Sequence, residues 1–194
     1  FIIKNYKIIL IGISRPFKRL KNSSVYIYNN QTQHLIKKLK KMCNLLIISI
    51  HWGTEYKFKN NNYQKNIGEI MIKSGADIII GHHPHVIQNM ETIKLKERTG
   101  YIFYSLGNFV FDSHYNTSGV RNTFILKIII NPNNNNINFK YLPCIIYPKL
   151  GFIPKPIKKT FQNNFPEKHT IYADNLYKNV FTYLSNCIQK GGNI

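Results

Sequence analysis

Two short apolar runs, residues 45–50 (LLIISI) and 77–80 (DIII), constrain this chain more than any other feature. Neither alternates apolar with polar side chains, so each reads as a strand covered on both faces, as in a parallel sheet. A helix fits between them. Asn61 or Asn62 can start it, Ile67, Ile70 and Met71 fall on one side, Lys73 lies in the last turn, and Ser74 and Gly75 stop it. Strand, helix and strand at this spacing make a βαβ unit, whose right-handed crossover sets the two strands parallel. Both strands then end on the same edge of the sheet.

The flanking regions extend this α/β reading. Residues 6–13 (YKIILIGI) predict a buried strand, and the polar, basic stretch 14–24 predicts a loop. A first helix follows, capped by Asn30 or Thr32, with Leu35, Ile36, Leu39 and Met42 on its apolar face and lysines opposite. Residues 100–110, 123–130 and 137–147 predict further strands. The Asn-rich PNNNN tract joins the last two as a hairpin, which makes an antiparallel edge on the parallel sheet. From residue 148 onward, Pro154, Pro156 and Pro166 break regular structure, and residues 173–189 hold one candidate amphipathic helix. The organisation expected is one domain over residues 1–150 and a Pro-rich tail over 151–194.

Composition narrows the function classes. The 27 Lys and Arg against 8 Asp and Glu give a formal charge of +19, a balance that suits a polyanionic partner. The excess is nearly all lysine and is spread along the chain with abundant Asn, Ile and Tyr. It reads as compositional drift rather than as a nucleic-acid-binding patch, and no recognition helix or ribonucleoprotein motif accompanies it. Cys43, Cys144 and Cys187 are few and far apart, which fits neither a disulfide framework nor a zinc knuckle. No apolar run approaches the roughly 20 residues needed to span a bilayer. The start at Phe1, inside an apolar stretch, reads as a fragment of something longer.

The chemistry concentrates at the two strand ends. His51 follows the first run, and Gly81-His82-His83-Pro84-His85 follows the second. Ligands of open α/β sheets collect at the carboxyl ends of strands, so these imidazoles should converge on one crevice. Pro84 should hold His83 extended, placing His83 and His85 on one side of the chain and His82 on the other. Gly53 and Gly81 permit close backbone approach. His51, His83 and His85 are therefore the expected metal ligands and catalytic residues. Imidazoles suit Zn, Fe, Ni or Cu, and Mn when joined by carboxylate or water. His82 and Glu55 are second-sphere candidates, Glu55 as an orienting carboxylate. Trp52 and Tyr56 read as packing residues, and His34, His114 and His169 as ordinary surface or core histidines.

Three motifs in order, HWGTEY at residues 51–56, GADIIIGHHPHVIQ at 75–88 and YSLGNFVFD at 104–112, resemble the bacterial capsule-synthesis CapA (poly-γ-glutamate synthesis) family. The resemblance covers roughly residues 6–150. It implies the C-terminal half of a calcineurin-like metallophosphoesterase α/β sandwich with a two-metal site. On that template His51 is the single histidine after a central strand, His83 and His85 form the H-x-H pair that reaches one metal each, and Asn108 supports the site.

The resemblance also implies ligands this sequence lacks. Ahead of the histidine motifs there is no D-x-H, no G-D-x-x-D and no G-N-H followed by an acid, the motifs that supply bridging carboxylates to the two divalent ions, with Mn, Fe or Zn as candidates; the one D-x-H, Asp112-Ser113-His114, comes after them. Near the histidine motifs the acids are Glu55, Glu91 and Asp112 alone. The expected partner is thus the N-terminal half of the domain. The expected function is metal-dependent, phosphoesterase-like work in making or exporting an anionic capsule polymer, membrane-associated on the extracytoplasmic side. A basic polyanion-binding module and an inactive truncated remnant are the alternatives.

Overall fold

The computed structural model describes residues 2–3, 5–14, 26–111, 119–147 and 153–156. The loop expected after Ser14, Asp112, His114, His169, Cys187 and the candidate helix at 173–189 lie outside the described residues.

In chain order the elements are β1 (Ile2–Ile3), β2 (Tyr6–Ser14), β3 (Tyr26–Ile27), α1 (Thr32–Lys40), β4 (Leu45–His51), α2 (Asn62–Ser74), β5 (Ile78–His82), β6 (Met90–Lys94), β7 (Thr99–Phe103), β8 (Asn122–Asn131), β9 (Asn136–Tyr147) and β10 (Ile153–Pro156). The main sheet runs β1-β2-β4-β5-β7-β6, with β3 also on β2. Strands β2, β4, β5 and β7 are parallel neighbours, and β1 and β6 are antiparallel edges. The chain is a mixed α/β protein built around the expected βαβ unit, β4-α2-β5.

Period-two geometry explains why β4 shows no polar alternation. Leu46, Ile48 and Ile50 point to one face, where they pack with Ile36 of α1 and Met71 and Ile72 of α2. Leu45 and Ile47 point to the other, where Ile78, Phe103 and a second sheet cover them. Both faces are covered, so apolar residues occupy both and Ser49 is the one polar residue before the terminal His51. Each such Leu or Ile, fully buried, contributes roughly 1.5–3 kcal/mol.

That second sheet, β10-β9-β8, corrects one expectation: β8 and β9 do form a hairpin, but they are stacked on the main sheet rather than added to its edge. Leu126, Ile128 and Ile130 of β8 and Ile137 and Phe139 of β9 supply the cover that the face of Leu45 and Ile78 needs. Phe139 meets Tyr101 and Phe103 edge-on at 4.8 and 5.0 Å. The prolines are corrected likewise. Pro154 and Pro156 sit in β10 opposite Ile146 and Cys144, as an edge strand tolerates because its ladder needs only alternate residues.

The strand expected over residues 100–110 stops at Phe103. The rest of the expected strand, residues 104–110, takes part in the isolated bridges Ile87 to Leu106 and Gly107 to Thr123. Its antiparallel partner β6 was not anticipated; it pairs Met90 through Lys94 with β7.

Helix α2 begins and ends where its caps dictate. The Asn61 side chain accepts from Gln64 N at 2.8 Å while Gln64 Oε1 accepts from Asn61 N at 3.1 Å, a reciprocal capping box. Gly75 closes it in a positive-φ conformation. In α1 the expected caps differ. Gln31 is the N-cap and makes no side-chain cap bond; Asn29 and Thr32 brace the entry instead, with Asn29 N donating to Thr32 Oγ1 and Gln31 N to Asn29 Oδ1, both at 2.8 Å. Met42 lies past the last turn and is exposed.

Candidate metal centre

Parallel register carries the histidines to one rim. His51 is the last residue of β4 and pairs with His82, the last of β5. Trp52 N then donates to the His82 carbonyl at 3.0 Å, so the chains leave the sheet side by side. Gly81 makes the approach feasible: a Cβ there would stand 2.0 Å from the Tyr104 carbonyl oxygen and 2.3 Å from Trp52 Nε1. Trp52 is fully buried, stacks on Tyr104 and donates from Nε1 to the Tyr104 carbonyl at 2.9 Å. It is a core residue beneath the site.

The turn after β5 departs from the expected extended geometry. His83 has φ of 101° and His85 of 61°, and across the rim Tyr56 has φ of 61°. Three non-glycine residues in this sparsely populated region, each costing of order 1–3 kcal/mol, persist only where surrounding contacts impose them. The tight turn, rather than a proline-extended segment, brings the imidazoles together. The rings of His51 and His83 lie 4.6 Å apart and those of His83 and His85 6.1 Å.

Donor atoms of Glu55, His83 and His85 all lie within 4.8 Å of one another. Glu55, expected as a second-sphere carboxylate, thus lies beside the candidate donors of His83 and His85, and His51 sits against His83 next to this group. Glu55 Oε1 is 3.9 Å from His85 Nε2. Two imidazoles and a carboxylate are a donor set that Zn, Fe or Mn accepts, so the residues present fit a divalent cation. Glu91 lies elsewhere: it accepts from the Tyr104 hydroxyl at 2.6 Å, and burial followed by this hydrogen bond raises the phenol's pKa.

Asn108 fixes the His85 ring. Its Nδ2 donates to the Val120 carbonyl at 2.9 Å, which leaves Oδ1 facing His85 Nδ1 at 2.7 Å. An amide oxygen only accepts, so Nδ1 carries the proton and Nε2, on the Glu55 side, presents its lone pair. Tyr56 stacks on the same ring at 5.9 Å and Phe111 packs tilted against it at 4.9 Å.

His51 and His82 are biased toward their neutral form. Partial loss of hydration, which disfavours the charged imidazolium, lowers the pKa of His51 first, and nearby His85 lowers it further against the opposing pull of Glu55. Burial, and then His51, lowers that of His82. Neutral imidazole is the form that binds metal.

Two buried glutamines escaped the sequence reading. Gln64 Nε2 donates to Gln88 Oε1 at 2.8 Å, and Gln88 Nε2 donates to the carbonyls of Lys57 and Lys59 at 2.7 and 3.3 Å. The Asn-x-x-Gln capping pattern was the available signal for Gln64; Gln88 had none beyond its place in the histidine motif.

A mixed α/β sheet whose parallel strands deliver imidazoles and a carboxylate to one rim is the class that fold and site define. The chain belongs to the bacterial capsule synthesis protein PGA_cap family, whose model matches residues 12–113, over half of its length. It is similar to the PGA biosynthesis protein CapA of Bacillus subtilis strain 168, at 34% identity over 125 residues, which is 64% of this chain and 30% of that protein. It is also similar to the capsule biosynthesis protein CapA of Bacillus anthracis, at 48% identity over 73 residues, 38% of this chain and 17% of that protein. The chain therefore matches less than a third of either relative's length. No helix among the described residues is long and apolar enough to cross a membrane.

Proposed function

We propose that this chain is the histidine-bearing part of a metal-dependent, phosphoesterase-like protein that acts on an anionic capsule polymer of the poly-γ-glutamate kind, at the extracytoplasmic face of the membrane. The observation that carries the reading is the convergence of Glu55, His83 and His85 donors within 4.8 Å, with the His51 ring beside them. Glu55, His83 and His85 would hold a divalent ion, His51 would serve the second position of a two-metal site, and the bridging carboxylates would come from a preceding segment of the domain. When bound, the metal supplies Lewis acidity toward a phosphoryl oxygen and toward water. Asn108, bonded to His85 Nδ1, would leave Nε2 of that ring free to bind the metal. Tyr56 and Phe111 shield the faces of that ring, and the exposed Lys57 and Lys59 on the same rim complement an anionic substrate.

The test is a Co(II) titration followed by visible absorption on this chain, on His83→Ala and His85→Ala, and on His34→Ala as a control on the exposed face of α1. Loss of the signal in the two rim variants and retention in the control is expected; unchanged binding by His83→Ala would sink the ligand assignment.

A further inference from the structure

The loop that carries Glu55 runs from the end of β4 to the Asn61 cap of α2. Glu55 is half-exposed and Lys57 and Lys59 are exposed, yet Gly53 beneath them is buried and has a φ of 91°. What ties the loop down is a one-way relay of amides. Asn61 N–H donates to Gln64 Oε1, Gln64 Nε2 to Gln88 Oε1, and Gln88 Nε2 to the Lys57 and Lys59 carbonyls. Both ends of each amide are assigned by their partners, because backbone carbonyls only accept and backbone N–H groups only donate. Gln64 is fully buried and Gln88 nearly so. A Cβ on Gly53 would meet Gln64 Nε2 at 2.8 Å, so the glycine leaves room for the relay to pass under the loop. Two further bonds complete the clamp: Asn61 Nδ2 to Thr54 Oγ1 at 3.2 Å and Tyr56 N to the Pro84 carbonyl at 2.9 Å.

Gln88 lies three residues beyond His85, and its two acceptors lie two and four residues beyond Glu55. The geometry points to Gln88, backed by Gln64, as a positioning residue that holds the Glu55 carboxylate against the His83-His85 turn. It touches neither donor group; it sets the distance between the two loops that carry them. This inference rests on the metal reading above and adds to it the reason that Glu55 stands within reach of His85.

Gln88→Met keeps the side-chain length and removes both donors, and Gln88→Glu keeps the shape but opposes a carboxylate to two carbonyl oxygens. Two measurements on the full chain separate positioning from plain stability. In metal-free protein, amide hydrogen exchange at Tyr56 should accelerate in both variants while exchange in β4 and β5 stays slow. With Co(II) as probe, affinity should fall about 10- to 100-fold, as when outer-sphere partners of metal ligands are lost, and the visible spectrum of the bound form should change shape. Gln64→Met should act in the same direction, and the Gln64→Met, Gln88→Met double variant should lose less than the sum, because one relay is broken twice. Unchanged Tyr56 exchange together with a wild-type spectrum in Gln88→Met overturns the proposal. If His83→Ala also binds Co(II) normally, the metal reading falls instead; if His83→Ala fails to bind while Gln88→Met binds as wild type, only the positioning role is lost.

Discussion

Replacing Asn108 with leucine isolates the contact that determines which nitrogen of His85 faces the site. Leucine has the same number and branching of side-chain heavy atoms as asparagine but no polar ones, so the exchange removes two hydrogen bonds and little packing. One partner, the carbonyl of buried Val120, is left without its donor; the other, His85 Nδ1, is near enough to solvent to find water. An unsatisfied buried acceptor costs roughly 1–3 kcal/mol and the lost imidazole bond about 1 kcal/mol more, so a total loss of about 2–4 kcal/mol is expected. Denaturant unfolding followed by Trp52 fluorescence reads that loss as a lower midpoint at unchanged slope.

The tautomer provides the sharper readout. In the parent chain, long-range nitrogen–proton NMR correlations should show His85 protonated on Nδ1 in the metal-free state. In Asn108→Leu the proton should redistribute toward Nε2, the atom that faces Glu55, and Co(II) affinity should fall about tenfold or more. Parent protein with the proton on Nε2, or a variant with unchanged tautomer and unchanged affinity, would refute the claim that Asn108 presents the lone pair.

Asp77→Ala removes a buried carboxylate that accepts from Leu46 N and Lys40 Nζ, both at 2.7 Å, and meets Arg98 at 3.5 Å. Because Lys40 and Arg98 can relax into water, the loss should lie toward the lower end of the roughly 3–5 kcal/mol typical of a broken buried pair, measured by denaturant midpoint, with Co(II) affinity of the folded fraction unchanged; a large loss of affinity would contradict the separation of this clamp from the rim. Stability of the metal-free chain should also fall as pH drops. His51 and His82 have lowered pKa values when folded, so the unfolded chain takes up protons first, and their contribution is complete above about pH 6.5 and is lost as pH falls through the lowered folded values. Denaturation midpoints from about pH 7 to 5 check this, with His82→Gln expected to flatten the profile; a midpoint that rises toward pH 5 would reverse the sign.

The βαβ core was legible because each of its signals is local. The unbroken apolar runs of β4 and β5, the Asn61 cap and the Gly75 stop all act within a few residues, and parallel register then carried His51 and His82 to one rim. Strand β6 was not legible: Met90 through Lys94 carries no strong strand composition, and it forms because β7 offers an edge. The stacking of β8 and β9 was hidden for the same reason. Residues 124–130 of β8 are apolar except for Lys127, so the sequence marks neither which face is buried nor against what, and only the assembled face of Leu45, Ile78 and Phe103 answers that. At the site, the histidines could be read from spacing. Glu55 could not be ranked above a surface carboxylate, since its place depends on Tyr56 reaching the Pro84 carbonyl and on Gln88 reaching back to Lys57 and Lys59. Pro84 misled for an instructive reason: the preference of a pre-proline residue for extended backbone is small beside the several contacts that hold His83 at a φ of 101°.

The strained turn and the buried charges lie at opposite ends of the same strands, and this separation has a physical logic. At the amino end of β5, Asp77 binds β4 through Leu46 N, α1 through Lys40 and the β6–β7 turn through Arg98, while its own backbone bonds Leu46 and Tyr101. A single carboxylate there joins several elements of the sheet and its helix layer, so the strands are held in register without help from the rim. At the carboxyl end the backbone is left to adopt conformations that cost energy at His83 and His85, while Asn108 holds the His85 ring and Gln64 and Gln88 hold the facing loop that carries Glu55. Were the order reversed, with strain where register is set, a shift of one residue in β5 would carry His82 and His83 to opposite faces and disperse the donors. Substitutions at the amino end should therefore change how much of the protein is folded, and substitutions at the carboxyl end should change what the folded protein can bind.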